Sequence, residues 1–278
     1  MKDNSSDPRH EIPGVERPPP PPAPEPTVHI RPRYYRWHVD PGIEWTETNT
    51  GYAWLDWEIT LSQTALVLVD VWDKHYLADT AARTDEIIRQ KIQPLLKVAR
   101  QTGLQLIHAP SPRLAARYPS LRPFPNTPEN RPGLDWPPPA FRRKEGEYQR
   151  FALPFEPRGS ERDALAATYR IHPAVEPENN DVVIATGDEL HRYCTEREIL
   201  FLFYAGFNTN ACILLRDYGT LEMARRGYEI ALLRDCTTGM ESCHTHAELG
   251  QTRSAILALE MFGKYTVTSD ELVTGLKA

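Results

Sequence analysis

The chain has 278 residues, with 32 Lys+Arg against 38 Asp+Glu, a formal net charge of −6. Hydrophobic residues at 40% and charged residues at 25% fit a globular protein large enough for a sizeable core. The acidic balance argues against sequence-independent nucleic-acid binding, the lack of an apolar run of about 18 residues against a membrane partner, and the polar stretch Met1 to Pro13 against a secretory signal.

The four cysteines are too few for a disulfide scaffold, so the expected address is reducing and cytoplasmic. Ten of the 26 prolines fall in residues 1–32, and ten more in 110–139. Residues 1–32, with Pro18 to Pro22, read as an extended, disordered tail without a core; docking to an SH3- or WW-like domain is the less favoured reading. Residues 33–60 form an aromatic-rich arm holding Tyr34, Tyr35, Trp37, Trp45, Tyr52, Trp54 and Trp57. Its alternation predicts short strands or an arm laid on a domain surface. The basic-aromatic run Arg31 to Trp37 also fits a single-strand nucleic-acid platform, but the acidic whole favours packing or contact between copies.

From residue 61 strands alternate with helices. Ala65 to Val69 is a continuous apolar run, as in a strand buried on both faces. Residues 84–100 have helical spacing, with Pro94 as a kink and Gly103 as a C-cap. Leu104 to His108 is the second strand. Residues 110–160, proline-rich and charged, read as a long loop or lid. Val182 to Ala185, Ile199 to Ala205, Tyr228 to Leu233 and Tyr265 to Val267 complete six strands. A helix is expected from Thr209 or Asn210 to Arg226, and another from His246 to Phe262. This order predicts an α/β fold with a parallel sheet covered on both faces.

Ligands of such a sheet bind beyond the C-terminal strand ends. Asp70 directly follows the first strand. Cys212 follows the fourth strand, after the turn Gly206 to Ala211. In the first turn of a helix a cysteine meets free N–H groups and the positive end of the dipole, which favour thiolate. The same N–H groups suit an oxyanion, and a nearby carboxylate suits proton transfer. The plainer readings are a turn-forming aspartate and a buried, inert cysteine.

The segments Ala65-Leu-Val-Leu-Val-Asp70, Gly206-Phe-Asn-Thr-Asn-Ala-Cys212, Ala224-Arg-Arg-Gly-Tyr228, Asp235-Cys-Thr-Thr with His246, and Val267-Thr-Ser-Asp-Glu-Leu272 together resemble the isochorismatase-like cysteine hydrolases. The resemblance spans roughly residues 60–276. It implies a three-layer αβα sandwich around a six-stranded parallel sheet, in a domain covering 61–278. It also implies hydrolysis of a small amide, imide or carbamoyl C–N bond through a thioester. Asp70 would be the acid/base and Cys212 the nucleophile, with Trp72, Asn208, Thr209 and Ala211 placing substrate or oxyanion. A cis peptide is implied at Phe207–Asn208. Homo-oligomers are usual in the family, and no cofactor is expected.

Two departures stand out. The family's third residue, a lysine ending the third strand, aligns with Thr186, and the following stretch is about seven residues shorter than the family pattern. His191 and Arg192, or Arg142, Arg143 and Lys144, are the candidate replacement cations. After Asp70 the chain reads Val-Trp-Asp-Lys-His75 where the family commonly has a Gln-Asn-Asp-Phe run, so Trp72 would wall the pocket. Nicotinamidase-like relatives bind zinc, but their His set has no match here. Asp73, His75 and His108, or Cys236, Cys243, His244 and His246, are weaker metal candidates, and none is expected to bind. The competing readings are a catalytically weak or inactive binding module on the same fold, and cysteine-independent vinyl-ether chemistry on Asp70.

Overall fold

The structure, a computed structural model, describes residues 25–128, 136–178 and 180–278. The polyproline run expected to be a disordered tail lies outside the described residues up to Ala23; Pro24 does too. The chain begins with strands β1 (Thr27–Ile30), β2 (Arg33–Arg36), β3 (Gly51–Trp54), β4 (Trp57–Thr60) and β5 (Thr64–Val69). Helices α1 (Ala78–Ile87) and α2 (Gln93–Thr102) follow, joined by a π-turn at Ile88–Ile92. Next come β6 (Gln105–Ala109) and the short helices α3 (Pro112–Ala115), α4 (Pro139–Arg143) and α5 (Gly159–Ala166). Strand β7 (Val182–Val183) leads into α6 (Gly187–Glu196), and β8 (Phe201–Phe207) into α7 (Cys212–Leu215) and α8 (Thr220–Arg225). The chain closes with β9 (Glu229–Thr238), α9 (Gly250–Met261), β10 (Tyr265–Val267) and α10 (Ser269–Lys277).

Strand β5 is buried along its whole length. Its side chains alternate between two cores: Leu66 and Leu68 enter one, and Ala65, Val67 and Val69 the other. The first core also takes Ile88, Ile92, Leu95 and Leu96 from α1–α2 and Leu272 from α10. The second takes Leu190 and Tyr193 from α6, Met223 from α8 and Leu259 from α9. Two helical layers therefore sandwich the sheet, which is why a strand in its middle reads as unbroken hydrophobicity.

Eight strands lie in the order β3-β2-β10-β9-β8-β5-β6-β7. The six from β10 to β7 are mutually parallel and correspond to the six expected strands. The aromatic arm does more than lie on a surface: β2 and β3 extend the sheet antiparallel beyond β10. The tail boundary at 32 also moves. Thr27 to Ile30 pair antiparallel with β4, because Val28 and Ile30 bury against the first core.

Three helix expectations are corrected. The first helix starts at Ala78, earlier than 84, and Pro94 follows the π-turn, where the missing N–H is absorbed by the changed register. The last long helix starts at Gly250 rather than His246, because the Glu241 carboxylate accepts the Gln251 and Thr252 N–H groups and fixes the N-terminus there. The helix expected from 209 to 226 is broken between α7 and α8. Tyr218 is fully buried; its hydroxyl donates to the Pro110 carbonyl at 3.2 Å, and its own carbonyl accepts the Tyr204 hydroxyl at 2.8 Å. Asp217 accepts the Gly187 N–H at the start of α6. Reaching these partners takes the chain out of the helix at Arg216, whose ψ is 156°.

One glycine is required beside the site. Gly206 has φ +116°, and a Cβ there would fall 1.9 Å from the Val69 carbonyl oxygen, next to Asp70. Gly206→Ala is expected to cost at least about 2 kcal/mol. That predicts a thermal midpoint lower by roughly 4 °C or more, read by scanning calorimetry.

Candidate active site

Asp70 sits where β5 ends, in the left-handed region at φ 47°, which Asp tolerates better than most residues. Its N–H donates to the Ala109 carbonyl at 3.2 Å, tying it to the end of the neighbouring strand. The carboxylate is only 3% exposed. Its Oδ1 accepts the Ser111 N–H at 2.8 Å, and Arg216 Nη2 approaches Oδ2 at 3.4 Å. Cys212 begins α7 after the turn that follows β8, and its thiol lies close enough to Asp70 for a hydrogen bond between them to act on both groups. The Phe207–Asn208 peptide is cis.

Asp70, Cys212 and Arg216 open onto a cavity of about 270 Å³. Trp72, Leu114, Ala166 and Tyr169 supply its apolar walls. Trp72 is anchored by its ring contacts with Phe207 at 5.4 Å and Tyr169 at 6.3 Å. A larger cavity, about 1130 Å³, opens by Gln105 and Val182, at the N-terminal ends of β6 and β7, and reaches neither Asp70 nor Cys212. The smaller one brings Asp70 and Cys212 together, at the strand ends where a parallel sheet binds ligands.

Burial raises the Asp70 pKa above the ordinary carboxylate value, opposed by Arg216, the Cys212 thiol and the Ser111 N–H. Burial, then the charge and hydrogen bond of Asp70, push the Cys212 thiol up to about 11, against the pull of Arg216 and the Asn208 N–H. Near neutrality the thiol is therefore protonated, beside a carboxyl whose charge burial opposes and Arg216 favours. A helix start alone would favour thiolate, but α7 has four residues, too short for an effective dipole, and the sulfur is desolvated, in the direction expected of a site without the family lysine.

The other expected residues divide. Trp72 walls the cavity as anticipated. The Asn208 N–H acts on the sulfur. The Thr209 and Ala211 N–H groups are spent on the Thr238 and Asn208 carbonyls, at 3.1 and 3.0 Å, so neither is free for an oxyanion. None of the anticipated replacement cations appears at Asp70. Thr186 caps α6 by accepting the Glu189 N–H at 3.1 Å. His191 pairs with the Tyr228 hydroxyl, and Arg192 with Glu196. The cation facing Asp70 is Arg216, which sequence reasoning missed. It lies four residues after Cys212, so the spacing of the expected helix pointed to it. His108 bonds Asp181 at 3.2 Å, Asp73 pairs with Lys74, and His75 accepts the Leu77 N–H. Among the described residues no three His, Cys, Asp or Glu side chains converge on a metal position.

A sequence model of the Isochorismatase domain matches residues 64–261. The chain belongs to the isochorismatase family. The fold is similar to that of a cysteine hydrolase from Pseudomonas syringae pv. phaseolicola 1448A, with a TM-score of 0.52 and 16% identity over 80% of this chain and 95% of that one. An isochorismatase family protein from Desulfovibrio vulgaris subsp. vulgaris str. Hildenborough aligns over 78% of this chain and 99% of its own, at 16% identity and a TM-score of 0.48. No curated protein matches the sequence. Among the described residues no helix is long and apolar enough to cross a membrane.

The site's electrostatics predict two results. Alkylation of Cys212 by iodoacetamide, followed against pH by peptide mass spectrometry, is expected to show a midpoint near 11. In Asp70→Asn the midpoint falls, since both raising effects of Asp70 are gone. Asp70 also bears on stability. Its pKa is higher folded than unfolded, so its contribution is most favourable below the unfolded value of about 3.9 and declines as pH rises to the folded one. At pH 7 the buried charge is a net cost, so Asp70→Asn is expected to match or exceed the wild-type thermal midpoint.

Proposed function

We propose that this family member is a cysteine-dependent hydrolase of a small-molecule amide, imide or carbamoyl C–N bond, acting through a thioester. The observation that carries the reading is one cavity shared by Asp70, Cys212 and Arg216 at the sheet's C-terminal edge. As Cys212 Sγ attacks the carbonyl carbon, Asp70 takes the thiol proton. The carbonyl π electrons move to oxygen, which meets the N–H of Asn208 and of Cys212 itself, the latter at a first helical position with no preceding carbonyl to occupy it. Collapse breaks the C–N bond, and Asp70 returns the proton to the departing nitrogen. Water then adds to the thioester while Asp70 takes its proton; the acid departs and the thiol is restored.

Arg216 takes the role the family gives to lysine. Its positive charge favours ionised Asp70 and opposes the rise of the thiol pKa. It stands on the nucleophile's own segment rather than on a strand end. Contact between copies through the exposed arm residues Trp45, Tyr52 and Trp54 belongs to the same reading, with the expected cytoplasmic address.

The high thiol pKa favours a second reading, a binding module with a retired centre. Ammonia release from a panel of small amides separates the two. Under the enzyme reading wild type turns over at least one, and Cys212→Ala none. Equal turnover in Cys212→Ala sinks the cysteine mechanism; no turnover by wild type favours the module. Arg216→Gln is expected to lose about 10²-fold in kcat. Its acid limb should move to higher pH, because Asp70 loses the cation that favours its charge. Arg216→Lys should restore most of the rate and the limb's position.

A further inference from the structure

The cavity holds an imbalance of charge that amide hydrolysis does not require. Three guanidinium groups line it, those of Arg113, Arg117 and Arg216, against the single acid Asp70. Arg216 faces Asp70. Arg117 donates through Nη1 and Nη2 to the carbonyls of Tyr169 and Ala167, at 2.8 and 2.7 Å. Those contacts fix its charge beside the cavity without cancelling it. Arg113, on α3, is exposed, and among the described residues no carboxylate pairs with it. Trp72, Leu114 and Tyr169 form the apolar wall beside these charges.

We infer that the substrate is an anion: a small amide carrying a carboxylate, held by Arg113 while its amide carbonyl meets Cys212. The inference rests on the hydrolase reading for the amide and on the arginines alone for the carboxylate. A guanidinium binds a carboxylate through two parallel N–H bonds and keeps its charge at every working pH. Arg113 sits on a helix that starts two residues after β6 ends, so its backbone is rigidly placed relative to Asp70. With Ser111 N–H already given to Asp70, Arg113 is the group in this wall left to receive a ligand's charge.

The test compares alkylation of Cys212 by iodoacetate, an anion, and iodoacetamide, its neutral counterpart. Both attack thiolate, so the ratio of their rates cancels the thiol pKa and reads the surrounding charge. Exposed Cys243 serves as the reference within the same molecule. The iodoacetate-to-iodoacetamide ratio at Cys212 is expected to exceed that at Cys243 by about tenfold or more. Arg113→Ala should remove most of the excess, and Arg113→Lys should keep most of it. In parallel, ammonia release from succinamate is expected to exceed that from succinamide by a similar factor in kcat/KM, with Arg113→Ala acting through KM. A ratio at Cys212 no higher than at Cys243, or an excess untouched by Arg113→Ala, overturns the anion site whatever is hydrolysed. Equal turnover of the two amides also overturns it. A raised, Arg113-dependent ratio without ammonia from either amide upholds the anion site and counts against the hydrolase reading.

Discussion

A carboxylate almost sealed from water next to a thiol is the constraint on which this structure turns. Burial alone favours the neutral form of both groups, and two neutral acids make neither a base nor a nucleophile. What opposes this at Asp70 is the Ser111 N–H on one oxygen and the Arg216 guanidinium on the other. At Arg216, whose N–H still donates to the Cys212 carbonyl, the chain leaves the helix. It leaves because Tyr218 must bury its ring and satisfy its hydroxyl and carbonyl on Pro110 and Tyr204. A packing demand in the core is thus converted into a charge at the rim.

The high thiol pKa fits this arrangement. A permanent thiolate beside ionised Asp70 would place two like charges in a poorly solvated cleft. Holding the proton on sulfur until a carbonyl arrives avoids that, and the proton's destination is already within hydrogen-bond reach. A thiolate formed from a higher-pKa thiol is also the stronger nucleophile once formed. Reactivity then depends on proton transfer to Asp70 rather than on a standing anion.

How much of this was legible in the sequence follows from what each feature depends on. The six parallel strands were readable because burial on both faces writes itself as apolar runs, as Ala65 to Val69 shows. The meeting of Asp70 and Cys212 in one cavity was readable because both follow strand ends of a parallel sheet. Thr27 to Ile30 was misread: a four-residue strand following a proline-rich run has too little local pattern, and its strand character comes from pairing with Trp57 to Thr60. The α7–α8 break was illegible for a different reason. Residues 212–225 suit a helix locally, and only the tertiary partners of Asp217 and Tyr218 end it. Arg216 was nonetheless within helical reach of Cys212 in the expected helix, whereas Arg192 and His191, taken as candidates, pair with Glu196 and Tyr228.

Thr186, where the family resemblance would place a lysine, serves as a helix cap. Strand β7 has two residues, and α6 starts after only Ile184, Ala185 and Thr186, with Thr186 serving as the cap. Of the two α6 acids next to that junction, Asp188 pairs with Arg226, and Glu189 is buried and held by Arg122 and the Ala185 N–H. A long side chain at Thr186 would cost the helix its cap. Cys212 and Arg216 share one short segment, so any shift of α7 moves the nucleophile and the charge that tunes it together. The separation between sulfur and cation is preserved by the backbone of a single turn, while the separation of both from Asp70 is set by the β5–β8 pairing, Val69 opposite Gly206, where no side chain larger than hydrogen fits.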